Sequence, residues 1–452
     1  MTSTALPPQT TSTLFPVNFS VPSKEWLREQ LVGKKLSEIR TPALVVDRFV
    51  VERNGREMRE TAQKLGLRLR VHVKTHKTIE GTELQLGDGV TGIVVSTMAE
   101  AHYLINSHLV ASGKLQDVIL GIPISPDKLA EAHDLSRRIP RFHVLVDHIS
   151  SLEAIEAYCV AREEEGEKNV KFSVWLKVDG GYSRAGVPPT NPSSLHLAQR
   201  LHTSPHTTFQ GIYTHSGHSY SSTSPLESLE FLHQERDLSL SFRSTLLASG
   251  IPVPHISIGA TPSVTSASQE SSEDLRETSK SRWEGVTELH AGNFIFMDRQ
   301  QIRTRAAIRG EADCAVTVLT RVLSMYPDRG TILVDAGALA MSKDSTMQGG
   351  YGQVLGTRGE DGEDGWTLTK ISQEHGIMSG LRTAEEWEEV KVGEVMRVVP
   401  NHACLTAACF PFYVVVDGRG REATRGGVRE REGQGEVEEL VVVDVWVPVR
   451  GW

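Results

Sequence analysis

Two patterns of hydrophobic and polar positions divide the chain. Between about residues 66 and 296, short β-rich runs alternate with longer segments of helical periodicity. This alternation is typical of repeated strand-helix units that build a parallel sheet. The β-rich runs fall at 67–74, 92–97, 117–122, 142–147, 172–179, 209–215, 255–259 and 287–296. Eight strands with helical segments such as 150–164 and 226–248 between them predict an α/β fold, a closed (β/α)8 TIM-type barrel rather than an open sheet.

The pattern changes from about residue 303. Here β runs follow one another without intervening helices, at 314–326, 330–337, 392–400, 412–418 and 439–449. This spacing predicts an antiparallel β domain after the barrel. We therefore expect a barrel domain over 40–302 and a β domain over 303–452, completed by part of 1–39. The run 41–47 fits either domain, and the sequence does not decide between them.

Two polar stretches interrupt these patterns. The stretch 264–283 is rich in Ser and Glu and poor in apolar residues, so we expect a solvated insertion between strands seven and eight. The stretch 417–438 is charged and rich in Gly, which predicts a long flexible hairpin in the second domain.

Composition and charge narrow the class of function. The 452 residues are 39% hydrophobic and 23% charged with a net charge of -9, as in a globular protein. A basic stripe with interleaved aromatics is missing, which argues against nucleic acid as a partner. The chain has no apolar run of the ~18 residues that cross a bilayer, and its first 24 residues lack the features of a secretory signal. Four scattered cysteines suit a reducing compartment, so we expect a cytoplasmic protein acting on a small molecule, without a membrane partner.

Polar residues gather near the carboxyl ends of the predicted barrel strands, where barrel enzymes place their chemistry. They are Lys74, Asp147, Lys177, Asp179, His215, Ser257 and His290. Lys74 ends an alternating strand, and a lysine that forms a Schiff base needs a partly desolvated site because only its neutral amine attacks an aldehyde. A surface basic cluster is the alternative interpretation, and we expect Lys77 to belong to one.

Two further segments carry weaker signals. Arg184 follows a Gly-rich turn, from which its guanidinium can bind a carboxylate or phenolate. A structural ion pair with Asp179 explains this segment equally well. Gly259 and Gly292 suit backbone amides that approach a phosphate after strands seven and eight, although each alone is more often a turn.

The segment 400–404 contains a His and a Cys two residues apart. On an extended strand, His402 and Cys404 lie on one face and can hold one Zn²⁺, with positions left open for water or substrate. A buried cysteine beside a capping histidine is the alternative, and for such a short motif it is the more frequent one.

Taken together, the motifs resemble the eukaryotic D-serine dehydratases of the fold-type III, alanine racemase-like group of pyridoxal-phosphate enzymes, whose relatives include D-threonine aldolase. The resemblance spans about residues 40–452. It rests on 70–77, KVDGGYSRAGV (177–187), GIYTHSGHSY (211–220), SIGATPS (257–263), ELHAGNFIFMDRQ (288–300), QEHG (373–376) and PNHAC (400–404). The sequence departs from the family pattern at Val71, where proline is frequent, and in the insertion.

The resemblance implies a role for each matched position. Lys74 corresponds to the Schiff-base lysine and catalytic residue, and His402 and Cys404 to the zinc pair, where the aldolases have His-x-Asp. Other positions correspond to residues around the cofactor or substrate, namely Arg184, Tyr213 and His215 for the substrate, and Arg184, Tyr213, Gly259, Thr261, Gly292 and Asn293 for pyridoxal 5'-phosphate.

The implied activity is that of a carbon-nitrogen lyase. A family member converts D-serine to pyruvate and ammonia with pyridoxal 5'-phosphate and Zn²⁺, with D-threonine as a second candidate substrate, and is usually a homodimer. Three alternatives stay open: retro-aldol cleavage of D-threonine, dehydration of D-3-hydroxyaspartate, and a cofactor carrier without catalysis. The metal pair and the long second domain argue against the carrier.

Overall fold

The computed structural model describes residues 23–268, 282–345, 349–357, 365–381, 383–419 and 440–452. Its strands are β1 (Ala43–Asp47), β2 (Arg68–His72), β3 (Gly92–Val95), β4 (Asp117–Pro123), β5 (Arg141–Val146), β6 (Phe172–Lys177), β7 (Thr207–Tyr213), β8 (His255–Ile258), β9 (Glu288–Ala291), β10 (Val316–Tyr326), β11 (Thr331–Val334), β12 (Gly352–Val354), β13 (Thr367–Ile371), β14 (Gly376–Ser379), β15 (Val395–Pro400), β16 (Tyr413–Val416) and β17 (Val442–Trp446).

Helices alternate with the earlier strands and are sparse among the later ones. They are α1 (Lys24–Leu31), α2 (Arg48–Lys64), α3 (Ile79–Leu86), α4 (Met98–Ile105), α5 (His108–Ala111), α6 (Leu129–Ser136), α7 (Ile149–Glu164), α8 (Pro192–Thr203), α9 (Pro225–Ala248), α10 (Thr261–Ala267), α11 (Arg299–Arg303), α12 (Ala338–Met341), α13 (Ala384–Glu389) and α14 (Ala403–Ala408). Short 3-10 turns occur at Leu36–Glu38, Val73–Thr75, Pro126–Lys128, Gly217–Ser221, Asn293–Ile295, Gly310–Asp313 and Pro327–Arg329. Within the described ranges, no helix is both long and apolar enough to span a bilayer.

Strands β2 to β9 form a closed barrel of eight parallel strands, which confirms the predicted fold class. Local sequence explains where its helices begin. Helix α9, for example, follows Ser224, whose hydroxyl accepts the amide of Glu227, and has Pro225 in its first turn. Because all eight strands run the same way, their carboxyl ends meet at one mouth of the barrel.

The later strands form a second sheet in the order β11-β14-β13-β12-β15-β10-β1-β16-β17. Strand β1 lies inside this sheet, paired antiparallel with β10 and parallel with β16, so the run 41–47 joins the second sheet. The sheet is otherwise antiparallel, as predicted. The domain limits themselves stay a prediction.

Three local predictions were wrong in part. The stretch 264–283 was expected to be solvated, but Val264 and Ala267 lie in the buried helix α10 and Trp283 is 2% exposed, because all three pack into the main core. Residues 269–281 lie outside the described part of the chain, as do 420–438 of the predicted hairpin. The last barrel strand ends at Ala291, and a 3-10 turn over Asn293–Ile295 replaces the rest of the predicted run. Strands β12 to β14 were not predicted.

Candidate active site

Lys74 lies two residues beyond the end of β2, in the 3-10 turn Val73–Thr75 at the barrel mouth. The turn begins at His72, whose Nδ1 accepts the backbone N–H of Lys74 at 3.3 Å. The side chain of Lys74 is partly buried. Lys77 instead pairs with Glu100, its Nζ 2.8 Å from the carboxylate, so the two lysines of this segment have different environments.

Two glycines at the mouth lie where no side chain fits. A Cβ at Gly259, which has a φ of +130°, would lie 2.7 Å from the carbonyl oxygen of His290. A Cβ at Gly292 would lie 2.8 Å from the carbonyl oxygen of His72. The hydroxyl of Thr261 accepts the amide of Gly292 at 3.4 Å, which joins the two loops. Gly259, Thr261 and Gly292 therefore form one cradle of backbone groups at the ends of β8 and β9.

Aromatic and histidine side chains line the barrel interior next to this cradle. The rings of Tyr213 and His290 stack with centroids 4.3 Å apart. His215 Nδ1 lies 3.0 Å from the carbonyl oxygen of Gly259. Burial lowers the pKa of both histidines well below the usual range, and each is also close to cationic side chains. Nε2 of His290 is buried without a hydrogen-bond partner within the described residues.

Lys177 and Glu235 form a second buried pair of ionisable groups near Tyr213. The Lys177 ammonium lies 4.7 Å from the centre of the Tyr213 ring, and burial lowers the pKa of Lys177 to about 8. Glu235, on α9, accepts the hydroxyl of Thr214 at 2.6 Å, and burial raises the pKa of this carboxyl to about 7. Sequence reasoning missed Glu235, because nothing in the helical pattern of α9 shows which side chain reaches the barrel mouth.

Arg184 extends from the Gly-rich turn after β6. Its guanidinium lies 5.6 Å from the centre of the Tyr182 ring, and the side chain is exposed. The carboxylate of Asp179 instead accepts the amides of Gly181 and Ser183, at 3.1 and 2.9 Å. These two bonds shape the turn itself, and the described residues show no ion pair between Asp179 and Arg184.

His402 and Cys404 are not on an extended strand, as the sequence suggested. Strand β15 ends at Pro400, His402 is the N-cap residue of α14, and Cys404 lies in the first turn of that helix. The chain turns into a helix here, so the two side chains are brought together by a helix start rather than by strand alternation.

The imidazole and thiol of this pair interact directly. Burial alone would raise the pKa of the Cys404 thiol, but the charge and hydrogen bond of His402 lower it. Burial likewise opposes protonation of His402, yet the Cys404 sulfur and the carboxylate of Asp344 raise its pKa to about 11. Asp344 lies 3.1 Å from His402 Nδ1. Sequence reasoning missed Asp344, because no local signal links positions 58 residues apart.

One contact joins the lysine segment to the metal pair. The hydroxyl of Thr75, the neighbour of Lys74, lies 3.2 Å from the sulfur of Cys404. The charge of Lys74 also contributes to the lowered pKa of the thiol. The barrel segment and the second-sheet segment therefore meet at the same mouth.

Other predicted site residues fall around this meeting point. Tyr213, His215, Gly259, Thr261, Gly292 and Asn293 all lie at the ends of β7, β8 and β9. Arg184 extends from an exposed turn, and its charge contributes to the lowered pKa of Lys177 and of His215. Thr75 could have been found from the sequence by its position next to Lys74. Tyr220 could not, because it lies in the turn Gly217–Ser221 and its hydroxyl forms a hydrogen bond with Thr261, which is 41 residues later in the chain.

Comparisons with known proteins identify the family. The family described as "Alanine racemase, N-terminal domain" matches residues 46–276, and the one described as "Putative serine dehydratase domain" matches 315–416. The D-serine dehydratase of Schizosaccharomyces pombe is 34% identical, with 95% of this chain and 96% of that protein covered. The D-serine dehydratase of Dictyostelium discoideum is 32% identical, with 84% and 94% covered.

A solved structure agrees with these matches over nearly the whole fold. The structure of D-threo-3-hydroxyaspartate dehydratase from Delftia sp. HT23 superposes with a TM-score of 0.75 at 30% identity, covering 93% of this chain and all of that one. An alanine racemase from Clostridium difficile, at 12% identity and a TM-score of 0.57, shares the fold. The chain therefore belongs to the D-serine dehydratase family, built on the alanine racemase-like barrel.

Proposed function

We propose that this protein dehydrates D-serine to pyruvate and ammonia with pyridoxal 5'-phosphate and Zn²⁺. The observation that carries the proposal is the contact between Thr75 and Cys404, 3.2 Å from oxygen to sulfur. This contact puts the amine-bearing turn of the barrel beside the His402–Cys404 pair. An amine and a metal pair on one mouth can act on the same small amino acid from two sides.

The residues present fit the cofactor. The cradle of Gly259, Thr261 and Gly292 offers close backbone approach, which a phosphate requires and a side chain at either glycine would prevent. Lys74 supplies an amine at the same mouth. The unpartnered Nε2 of His290 leaves a buried polar atom available to a bound molecule.

The donor set of the metal pair also fits. A thiol whose pKa is lowered and a neighbouring imidazole are the ligand types that Zn²⁺ prefers. No cluster of three or more such side chains able to hold a metal occurs among the residues that the structure describes, so His402 and Cys404 would leave positions open. An open position is the mark of a catalytic rather than a structural zinc site.

The chemistry divides between these groups. The cofactor, when bound, supplies an electron sink for the α-carbon, and Zn²⁺ supplies a Lewis acid for the β-hydroxyl. Lys74 Nζ takes the α-proton of the substrate. Asp344 holds the ring of His402, and the Thr75 hydroxyl holds the sulfur of Cys404, so both ligands keep their orientation.

Three further residues would bind and orient the substrate and cofactor. Arg184 offers a guanidinium fork for a carboxylate or phenolate oxygen. Tyr213 provides a flat ring supported by His290, and His215 is fixed by its hydrogen bond to Gly259.

Product analysis tests the proposal. The purified protein, loaded with zinc and cofactor, is incubated with D- and L-serine and with D- and L-threonine. We expect pyruvate and ammonia from D-serine and neither product from L-serine. Glycine and acetaldehyde from D-threonine, without pyruvate from D-serine, would identify an aldolase and reject the dehydratase assignment.

D-3-hydroxyaspartate is a second candidate substrate. The supporting observation is the D-threo-3-hydroxyaspartate dehydratase of Delftia, 33% identical over 85% of this chain. The second carboxylate of 3-hydroxyaspartate needs an additional cation. Lys177 is buried beside Tyr213, and Arg184 is close enough for its charge to contribute to the lowered pKa of Lys177. A higher kcat/KM for 3-hydroxyaspartate than for D-serine would favour this candidate.

We also propose that the protein is a homodimer. Leu339 on α12 and Leu405 on α14 are 60% and 46% exposed, on two neighbouring helices beside the metal pair. Light scattering during size-exclusion chromatography measures the mass, and a monomer at micromolar concentration would contradict the proposal.

A further inference from the structure

Two loops at the barrel mouth come from distant parts of the chain. The anion loop, Gly292 and Asn293, follows β9, and the metal loop, residues 401–404, follows β15. Between them lies a single carboxylate, that of Asp298, which is fully buried. Neither the lysine nor the metal chemistry described above uses this group.

Both loops donate to the same oxygen of Asp298. Oδ2 accepts a hydrogen bond from the side-chain amide of Asn293 at 2.7 Å and one from the backbone N–H of Ala403 at 2.8 Å. The other oxygen, Oδ1, accepts the backbone N–H of Gln301 at 3.0 Å and caps α11. One oxygen therefore links the anion loop to the residue between His402 and Cys404, while the other fixes the carboxylate to a helix.

Neighbouring residues fasten the same two segments together. Arg299 donates to the side-chain oxygen of Asn401 at 2.9 Å, and the amide of Gln300 donates to its carbonyl at 3.2 Å. The side-chain amide of Asn401 in turn donates to the carbonyl of Asp344 at 2.9 Å. The segment 298–300 thus holds the metal loop along its length, and Asp298 also binds the anion loop.

We propose that Asp298 is a positioning residue that couples occupancy of the cofactor site to the affinity of the His402–Cys404 pair for zinc. This inference rests on the function proposed above. Phosphate binding orders the anion loop and Asn293. Because a buried carboxylate is costly to leave unpaired, Asp298 follows Asn293 and carries the amide of Ala403 with it. Cofactor then favours the metal-binding arrangement, and zinc favours the cofactor-binding arrangement by the same factor.

The test measures binding rather than turnover. The zinc dissociation constant is determined by competition with a chromogenic chelator, in the absence and in the presence of saturating pyridoxal 5'-phosphate. The ratio of the two constants is the coupling factor. In the unmodified protein we expect zinc to bind more tightly with cofactor, by roughly 5-fold to 150-fold.

Asp298→Ala is the informative variant. It removes the oxygen that accepts hydrogen bonds from both Asn293 and Ala403, whereas the carbonyl oxygen of an asparagine could still accept both. The coupling factor should fall towards one. Asp313→Ala is the matched control, because Asp313 is also buried but pairs with Arg53 and Arg309 instead. It should retain the coupling even if the protein is less stable.

The possible results distinguish failure of this inference from failure of the proposed function. A coupling factor in Asp298→Ala equal to that of the unmodified protein would overturn the inference. Independent binding of zinc and cofactor to the unmodified protein would also overturn it, while leaving the proposed function intact. Binding of neither would reject both. If Asp298→Ala does not fold, Asn293→Ala removes the same link from its other end, and coupling retained there rejects the role of Asp298.

Discussion

Two layers of polar side chains inside the barrel differ in how completely they are paired. At the amino end, Arg70 binds Glu288 at 2.7 Å and Asp117 at 2.5 Å, and His143 also binds Asp117, at 3.1 Å. At the carboxyl end, Nε2 of His290 and Oε2 of Glu235 have no hydrogen-bond partner within the described residues. Both layers are buried, so solvent does not explain the difference.

The pairing separates a structural layer from a functional one. Although burial opposes its ionisation, His143 and Arg70 hold the pKa of Asp117 well below its usual range. The four side chains of this network, Arg70, Glu288, Asp117 and His143, are all paired within it. Buried polar atoms without partners cost free energy, and proteins retain them where another molecule supplies the partner. Barrel enzymes place their catalytic residues at the carboxyl ends of the strands, and Lys74 lies at that end.

The largest expected effect is at the carboxyl end, for Lys74→Ala. In the proposed mechanism the amine both holds the cofactor and takes the α-proton, so dehydration of D-serine should fall by about 10²-fold to 10⁴-fold or more. The visible absorbance of the bound cofactor should change as well, while the unfolding temperature stays close to that of the unmodified protein. Lys77→Ala, which loses only the ion pair with Glu100, is the control. An active, unchanged Lys74→Ala protein would contradict the assignment.

The opposite result is expected at the amino end, for Glu288→Gln. Loss of one charge from the buried network leaves Arg70 short of a partner, which should lower the free energy of unfolding by roughly 3–5 kcal/mol. Urea unfolding measures the change, and turnover per folded molecule should be retained. Glu284→Gln, at an exposed position nearby, should change stability by about 0.5 kcal/mol or less. If Glu288→Gln lost turnover but not stability, the two layers would not differ as described.

The contrast also shows what the sequence could reveal. Strand alternation and the repeat of strands and helices predicted the barrel, because each βα unit carries its own local signal. Lys74 was chosen as a candidate because it ends such a predicted strand, and its role stays a prediction. Asp298, Asp344 and Glu235 were not found, because each acts through a partner that is distant in sequence or belongs to a different element.

The metal pair illustrates a different limit. The residue types at 402 and 404 predict a pair of zinc ligands, and this stays a prediction, but the extended geometry expected for the pair was wrong. A spacing of two residues suits both a strand face and the start of a helix, and the contacts that accompany the helix start, such as the bond from the Ala403 amide to Asp298, come from distant parts of the chain. Buried Val264 in a Ser-rich stretch was misassigned for a similar reason, since composition averaged over 20 residues hides a short helix.

A smaller effect with a distinct pH dependence is expected for Glu235→Gln. Burial raises the pKa of Glu235 from 4.5 to about 7, with Lys177 as the nearby cation. Between these pH values the folded protein keeps a proton that the unfolded chain has released. The free energy of unfolding therefore falls as pH rises through this window, by no more than about 3 kcal/mol. Glu235→Gln removes this slope and should gain stability relative to the unmodified protein as pH rises from 4.5 to 7.

Thermal unfolding at several pH values tests this dependence. Glu156→Gln is the control, because Glu156 pairs with Arg200 on the outside of the barrel. Its stability should follow the pH profile of the unmodified protein. Identical dependence of stability on pH for Glu235→Gln and the unmodified protein would show that Glu235 is ionised in the folded protein. The polar layer at the carboxyl end would then be paired like the layer at the amino end.

The smallest effect is expected for Asp344→Asn, beside the metal pair. The carboxylate fixes the ring of His402 through Nδ1, at 3.1 Å, without being a candidate ligand itself. Changing such an outer partner typically weakens metal binding by about 10-fold to 100-fold, so the zinc dissociation constant should rise by that factor. Excess zinc should restore most of the turnover, because the two ligands and Lys74 remain. Asp328→Asn, on an exposed turn of the second domain, should leave zinc affinity unchanged. A loss of turnover that excess zinc does not restore would instead place Asp344 among the groups that contact the substrate, and the unpaired functional layer would extend from the barrel into the second sheet.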